Sequence, residues 1–192
     1  MLKLDAVNYM LTAVGEAPVN SIATADLTQD AAIAVSILDM QVRQLLSQRW
    51  HFNSDENVTL TRGVDNTIAV SSSILKFEID TTEHDKKVAI RGGLLYWVDS
   101  EETDKTIFDE DIRGTATYLL DFEDIPEQPQ HYIVSRATRV FAERTLGVSD
   151  LSRSLAVEEQ QAFEAFYQSE VDAHGENYLN DSLSAYSTYR YI

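Results

Sequence analysis

Leu4, Val7, Met10, Leu11 and Val14 fall within roughly a third of a helical wheel, which predicts a first amphipathic helix. Gly15 supplies its stop and Pro18 bars its continuation. After a polar connection, Thr28 or Asp30 can cap a second helix in which Ala31, Ala34, Val35, Leu38, Val42, Leu45 and Leu46 form one apolar stripe. Ile33, Ile37 and Met40 form another on nearly the opposite side. A helix apolar on two sides is either central in its own bundle or covered by another subunit, because one stripe would otherwise face water.

From Asn57 to Phe122 the pattern changes to short β-prone runs, NVTLT, TIAV, ILKFEID, KVAI, LLYWVD and TATYLLDF. Gly92 and Gly93 lie between two of them and predict a hairpin, since glycine readily takes the positive φ of a tight turn. The segment SEETDKTIFDED, ending at Asp111, is charged enough to predict a solvated loop. Pro126 and Pro129 mark a return to helix, with Ile133, Val134, Ala137, Val140 and Phe141 on one stripe and Gly147 as its stop. A fourth helix starts near Ser149 or Asp150, buries Leu151, Leu155, Ala162, Phe163, Phe166 and Tyr167, and runs to about Gly175.

The expected fold is α+β: N- and C-terminal helical hairpins pack as a four-helix bundle, with a small antiparallel β domain inserted between them. The expected boundaries are residues 1–53 and 125–177 for the two halves of the bundle, 54–124 for the β domain and 178–192 for a C-terminal tail. That tail has four tyrosines and no convincing period, so it is expected to dock on a neighbour instead of forming a core of its own.

Composition narrows the chemistry. With 192 residues, 44% of them hydrophobic, the chain can fill a real core. It has no cysteine, and His51, His84, His131 and His174 have no metal-ligand spacing, so no metal or other cofactor is expected. No apolar run approaches the roughly 20 residues that span a bilayer, and Asp5 stands where an export signal would carry a basic flank. The formal charge of −17 opposes wrapping of nucleic acid around the surface.

Candidate sites are few. Neither a Gly-rich phosphate loop nor a nucleophile elbow is present, and Ser, His and Asp show no recognisable arrangement. Tyr96 and Trp97, followed by Asp99, Glu101, Asp109 and Asp111, are the best grouping for a glycan site, with Trp97 as stacking platform and carboxylates as acid and base; a solvated acidic loop is the plainer reading. A calcium site there would lack the usual glycine-centred spacing. Arg49 and Arg144 end the stripes of helices two and three and either snorkel or bridge a subunit boundary, while Arg136 and Arg139 read as solvated charges. Arg49, Trp50 and Phe52 stand where helix two gives way to the sheet and are candidates for the domain junction. The candidate subunit-interface residues are Ile33, Ile37, Met40, Arg144, Tyr178, Tyr186, Tyr189 and Tyr191.

Three blocks carry a family resemblance: LxAVNxxLxxxGExPV from Leu4 to Val19, the IL, RQ and SxxWxFN positions from Ile37 to Asn53, and DFEDIPEQPQHYIVSRATRVFAER from Asp121 to Arg144. They resemble the tail tubular protein A family, the adaptor or gatekeeper ring proteins of short-tailed podophages. The resemblance implies a structural virion protein, made in the host cytoplasm and located in the phage tail. It implies a dodecameric ring between the portal and the nozzle (tail tubular protein B), with tail fibres attached at the junction and DNA passing through without specific binding. No catalytic residue follows from it. The alternatives are a glycan-binding or glycan-hydrolysing tail component and a regulatory or scaffolding protein that never enters the virion.

Overall fold

The computed structural model describes residues 1–23, 27–80, 87–98, 104–148 and 150–174. The fold is α+β, with four helices, α1 (Lys3–Ala13), α2 (Gln29–Leu46), α3 (Glu127–Leu146) and α4 (Asp150–His174). Between α2 and α3 lie five strands, β1 (Ser54–Leu60), β2 (Ile74–Ile79), β3 (Val88–Arg91), β4 (Leu94–Trp97) and β5 (Ile112–Tyr118). The described residues divide into two compact units, one holding Met1–Gln41 with those from Ile125 to His174, the other those within Val42–Asp124. The first division falls inside α2, so the last turn of that helix belongs with the sheet.

In the helical unit each helix begins and ends where local chemistry stops it. Gly15, at φ 85°, follows α1, and Gly147, at φ 77°, closes α3. Thr28 caps α2, its Oγ1 accepting from the Ala31 N–H at 3.3 Å. Asn8 closes the loop after α1 on itself: its Nδ2 donates to the Val19 carbonyl at 2.9 Å and its Oδ1 accepts from the Val19 N–H at 2.8 Å. Ala6, Val7, Met10 and Leu11 of α1 are buried, as are Tyr132, Ile133, Val134, Ala137, Phe141 and Ala142 of α3.

Helices α3 and α4 pack as an antiparallel hairpin. Tyr132 near the start of α3 meets Phe163 and Phe166 far along α4, with ring centroids 5.2 and 5.9 Å apart. Further along α3, Arg139 reaches back to Glu159 at 2.5 Å and holds Glu143 at 2.9 Å, while Arg136 lies 4.0 Å from Glu159 and donates to the Tyr132 hydroxyl. Arg136 and Arg139 are thus helix-to-helix clasps, not the solvated charges their positions beside the stripe suggested. The spacing of two residues twenty apart carries no sequence signal, because the turn between helices decides which carboxylate arrives.

The sheet unit holds two antiparallel assemblies, a three-stranded sheet in the order β1-β5-β2 and the hairpin β3-β4. Val58 faces Gly114 across β1 and β5, and Phe77 faces Ala116 across β2 and β5. Gly92 and Gly93, at φ 58° and 78°, make the predicted hairpin turn. The TIAV run is not a strand: Ala69 forms an isolated bridge to Leu94. Ile68, Phe77, Leu95, Phe108 and Ile112 are central to this unit's core.

Asn53 links the residues just before β1 to the end of the central strand, β5. Its buried side-chain amide donates to the carbonyls of Leu46 at 2.8 Å and Tyr118 at 3.2 Å, and its Oδ1 accepts from the Trp50 N–H at 2.9 Å. Trp50 in turn donates its indole N–H to the Leu45 carbonyl at 2.9 Å. This bonding terminates α2 at Leu46, so Arg49 lies beyond the helix and not in its last turn.

Candidate subunit interface

The second stripe of α2 resolves into two kinds of residue. Ile33 and Met40 are 38% and 44% exposed, whereas Ile37 is 1% exposed and belongs to the chain's own core. At about 100° per residue Ile37 sits beside Ala34 and Gln41, at the margin of the buried face, and the helix buries a wider arc than the separate-stripe reading allowed. As an interface residue Ile37 is therefore corrected: only its margin borders an open groove, lined also by Gln29, Ala32, Ile33, Ser36 and Arg144.

Arg144 stands on the last turn of α3, where a cation complements the negative end of the helix. It is exposed and differs from its neighbours in charge pairing. Lys3 pairs with Asp39, Arg136 and Arg139 with Glu159, and Arg153 with Asp150. Among the described lysines and arginines of the helical unit, Arg144 is the one without a carboxylate partner.

A second apolar surface lies on α4. Phe163 is 37% exposed, and its ring stacks on that of Tyr167 at 6.2 Å. Val157 and Val171 are exposed on the same helix. Periodicity assigned Phe163 to the buried side. Phe166, three residues on, fills that place against Tyr132 instead and pushes Phe163 to the rim. Tyr9 of α1 is also open to solvent, with its hydroxyl 3.4 Å from Glu158; partial burial and that carboxylate raise its phenol above the ordinary range.

The other candidate residues are placed as follows. Tyr178, Tyr186, Tyr189, Tyr191 and Asp99 lie outside the described residues. Arg49 pairs with Glu56 at 2.8 Å and approaches Glu78 at 3.8 Å, and Phe52, half-buried, meets the edge of His51 at 5.6 Å. Trp97 is 8% exposed, stacked on Phe108 at 4.8 Å, and donates its indole N–H to the Ile107 carbonyl at 3.2 Å. It is a core residue and offers no platform to a sugar. The segment around Phe108, expected to be fully solvated, instead drops that ring into the sheet core. Tyr96 is covered by Arg91, whose guanidinium sits 4.1 Å from the ring centroid. Asp109 is exposed, and its carbonyl accepts from Arg62 at 2.7 Å. Among the described residues no cluster of three or more His, Asp or Glu side chains could hold a metal ion.

The helical unit therefore has two apolar faces at its surface, one with a lone guanidinium, and both suit assembly better than they suit the binding of a small molecule. The Tube family, described as tail tubular protein, matches residues 4–176, and the chain belongs to that family: it is a structural protein of the phage tail, located in the virion. The chain is also 33% identical over 138 residues to the tail tubular protein A of Klebsiella phage KP34, an alignment covering 72% of this chain and 70% of that one. No helix among the described residues is long and apolar enough to cross a membrane.

Proposed function

We propose that this chain is a head-to-tail adaptor whose copies form a dodecameric ring between the portal and the nozzle, tail tubular protein B. In that position it extends the DNA ejection channel and helps to anchor the tail fibre. The observation that carries this reading is the family match across residues 4–176, joined to exposed apolar side chains on two faces of the helical unit. A tail protein with such faces is built to be covered by other copies.

The four helices act as one bundle in this reading, with the sheet unit as an insertion. Contacts between them support it: Lys3 of α1 pairs with Asp39 of α2 at 2.5 Å, and α4 clasps α3 through Glu159. The excess of 32 acidic over 15 basic residues suits a channel wall that repels phosphate and lets DNA pass without adhering. The last residues of the chain, with Tyr178, Tyr186, Tyr189 and Tyr191, latch adjacent subunits.

Light scattering coupled to size-exclusion chromatography tests the reading, on the full chain alone and after mixing with a portal ring from the same phage. Co-migration at a mass near a dodecamer per portal is the expected result. A chain that stays monomeric and ignores both portal and nozzle overturns it.

A further inference from the structure

Resting on the ring reading, we infer that the ring closes through a heterologous contact in which the α4 ridge of one copy, Phe163 with Tyr167, seats in the α2–α3 groove of the next, where Arg144 meets Glu164. Three observations lead there.

The first is shape. The groove lined by Ile33, Ser36 and Ala32 is an open concavity beside the end of α3, whereas Phe163 and Tyr167 stand at the exposed rim of the α3–α4 contact, beside Tyr132 near the start of α3. The two features thus lie toward opposite ends of the same helix. A cyclic ring larger than a dimer needs two different patches on each subunit, and this placement supplies them.

The second is charge. Arg144 borders the groove with no carboxylate partner among the described residues. Beside the ridge stands an exposed carboxylate held in place by a glutamine: Gln160 donates to Glu164 at 2.9 Å. Gln160, Glu164, Tyr167 and Val171 recur at the spacing of one helix face, so the acidic and apolar groups arrive together. Guanidinium and carboxylate across a half-desolvated contact steer the pairing and fix its register.

The third is what the same charges oppose. Groove against groove would bring Arg144 toward Arg144, and ridge against ridge would bring Glu164 toward its own copy. Both symmetric dimers are disfavoured, and the alternating contact remains.

Because the chain has no cysteine, the test is clean. Full-length Ser36→Cys and full-length Gln160→Cys are prepared separately, both at exposed positions, one carrying a mass tag. They are mixed, assembled on the portal ring and treated with a short bis-maleimide, with ring mass read independently by light scattering. The expected product is a cross-link between the two variants, with little between copies of either one alone. Arg144→Glu is expected to weaken assembly by about tenfold and Glu164→Arg to restore it in the double variant. Rings of full mass in which only like variants cross-link, or none do, overturn this contact and leave the ring reading standing. Absence of rings overturns both.

Discussion

The Nε of Arg139 donates to Oε2 of Glu159 at 2.5 Å, joining α3 to α4 across a contact that leaves only a quarter or less of either side chain exposed. That hydrogen bond outweighs partial burial and holds the guanidinium above even its ordinary high range, so it is charged at every pH at which the protein folds. Glu159→Ala is expected to destabilise the helical unit by about 2 kcal/mol, because a largely buried guanidinium loses its bond across to α4 and keeps only Glu143 on its own helix. Arg139→Lys is expected not to restore the wild-type value, since an ammonium cannot reach Glu159 and Glu143 with a planar fork. Urea unfolding followed by circular dichroism reads both.

Asn53→Ala removes the amide that bonds the Leu46 and Tyr118 carbonyls and leaves buried acceptors without a donor. A loss of about 3 kcal/mol is expected, seen as a lower urea midpoint for the sheet unit. Asn53→Asp is expected to do at least as much harm, because a carboxylate would face the same carbonyl oxygens.

Gly114 is a glycine by necessity of space. A Cβ there would lie 2.2 Å from the Glu78 carbonyl oxygen, a backbone atom on the paired strand β2. Gly114→Ala is expected to part β2 from β5 and cost about 2 kcal/mol or more, with faster amide exchange at Phe77 and Ile79.

Asp104 accepts from both the hydroxyl and the backbone N–H of Thr106, and these bonds hold its carboxyl below the usual aspartate range. With the folded value below the unfolded one, the loop's stabilisation is present above the unfolded value and is lost as pH falls through the folded one. An NMR titration is expected to show Asp104 ionising at lower pH than an ordinary aspartate, and Thr106→Val is expected to move it back upward.

Removing Tyr178 to Ile192 is expected to leave the chain folded, since the described core residues of the helical unit, Met10, Ile133, Phe141 and Phe166 among them, all lie outside the deleted segment, while weakening assembly. Unchanged ring formation by the truncated chain on the portal would sink the latch idea.

Much of the local structure was legible in the chain. The stripe of α1, the stops at Gly15 and Gly147, the Gly92-Gly93 hairpin and most of the strands follow from periodicities and turn chemistry that act over a few residues. The resemblance of the Leu4–Val19 and Asp121–Arg144 blocks pointed to the family whose match spans residues 4–176. The candidate faces were less legible. Ile37 is buried where its stripe predicts an interface, and Phe163 is exposed where its stripe predicts burial, because periodicity reports which residues share a face and not how wide an arc a neighbour covers.

The sequence by itself determined the four helices, most of the strands, the excess of negative charge, the lack of thiol chemistry and the family. Only the tertiary structure decided that Arg139 meets Glu159, that Asn53 satisfies Tyr118 across 65 residues, and that Phe108 seals Trp97 into the core. It also decided that Arg144 has no carboxylate partner among the described residues while the other described cations of the helical unit have one. The reason is physical: short-range preferences are set by a residue and its near neighbours, whereas burial and charge pairing depend on which distant groups the turns and packing bring within a few ångströms.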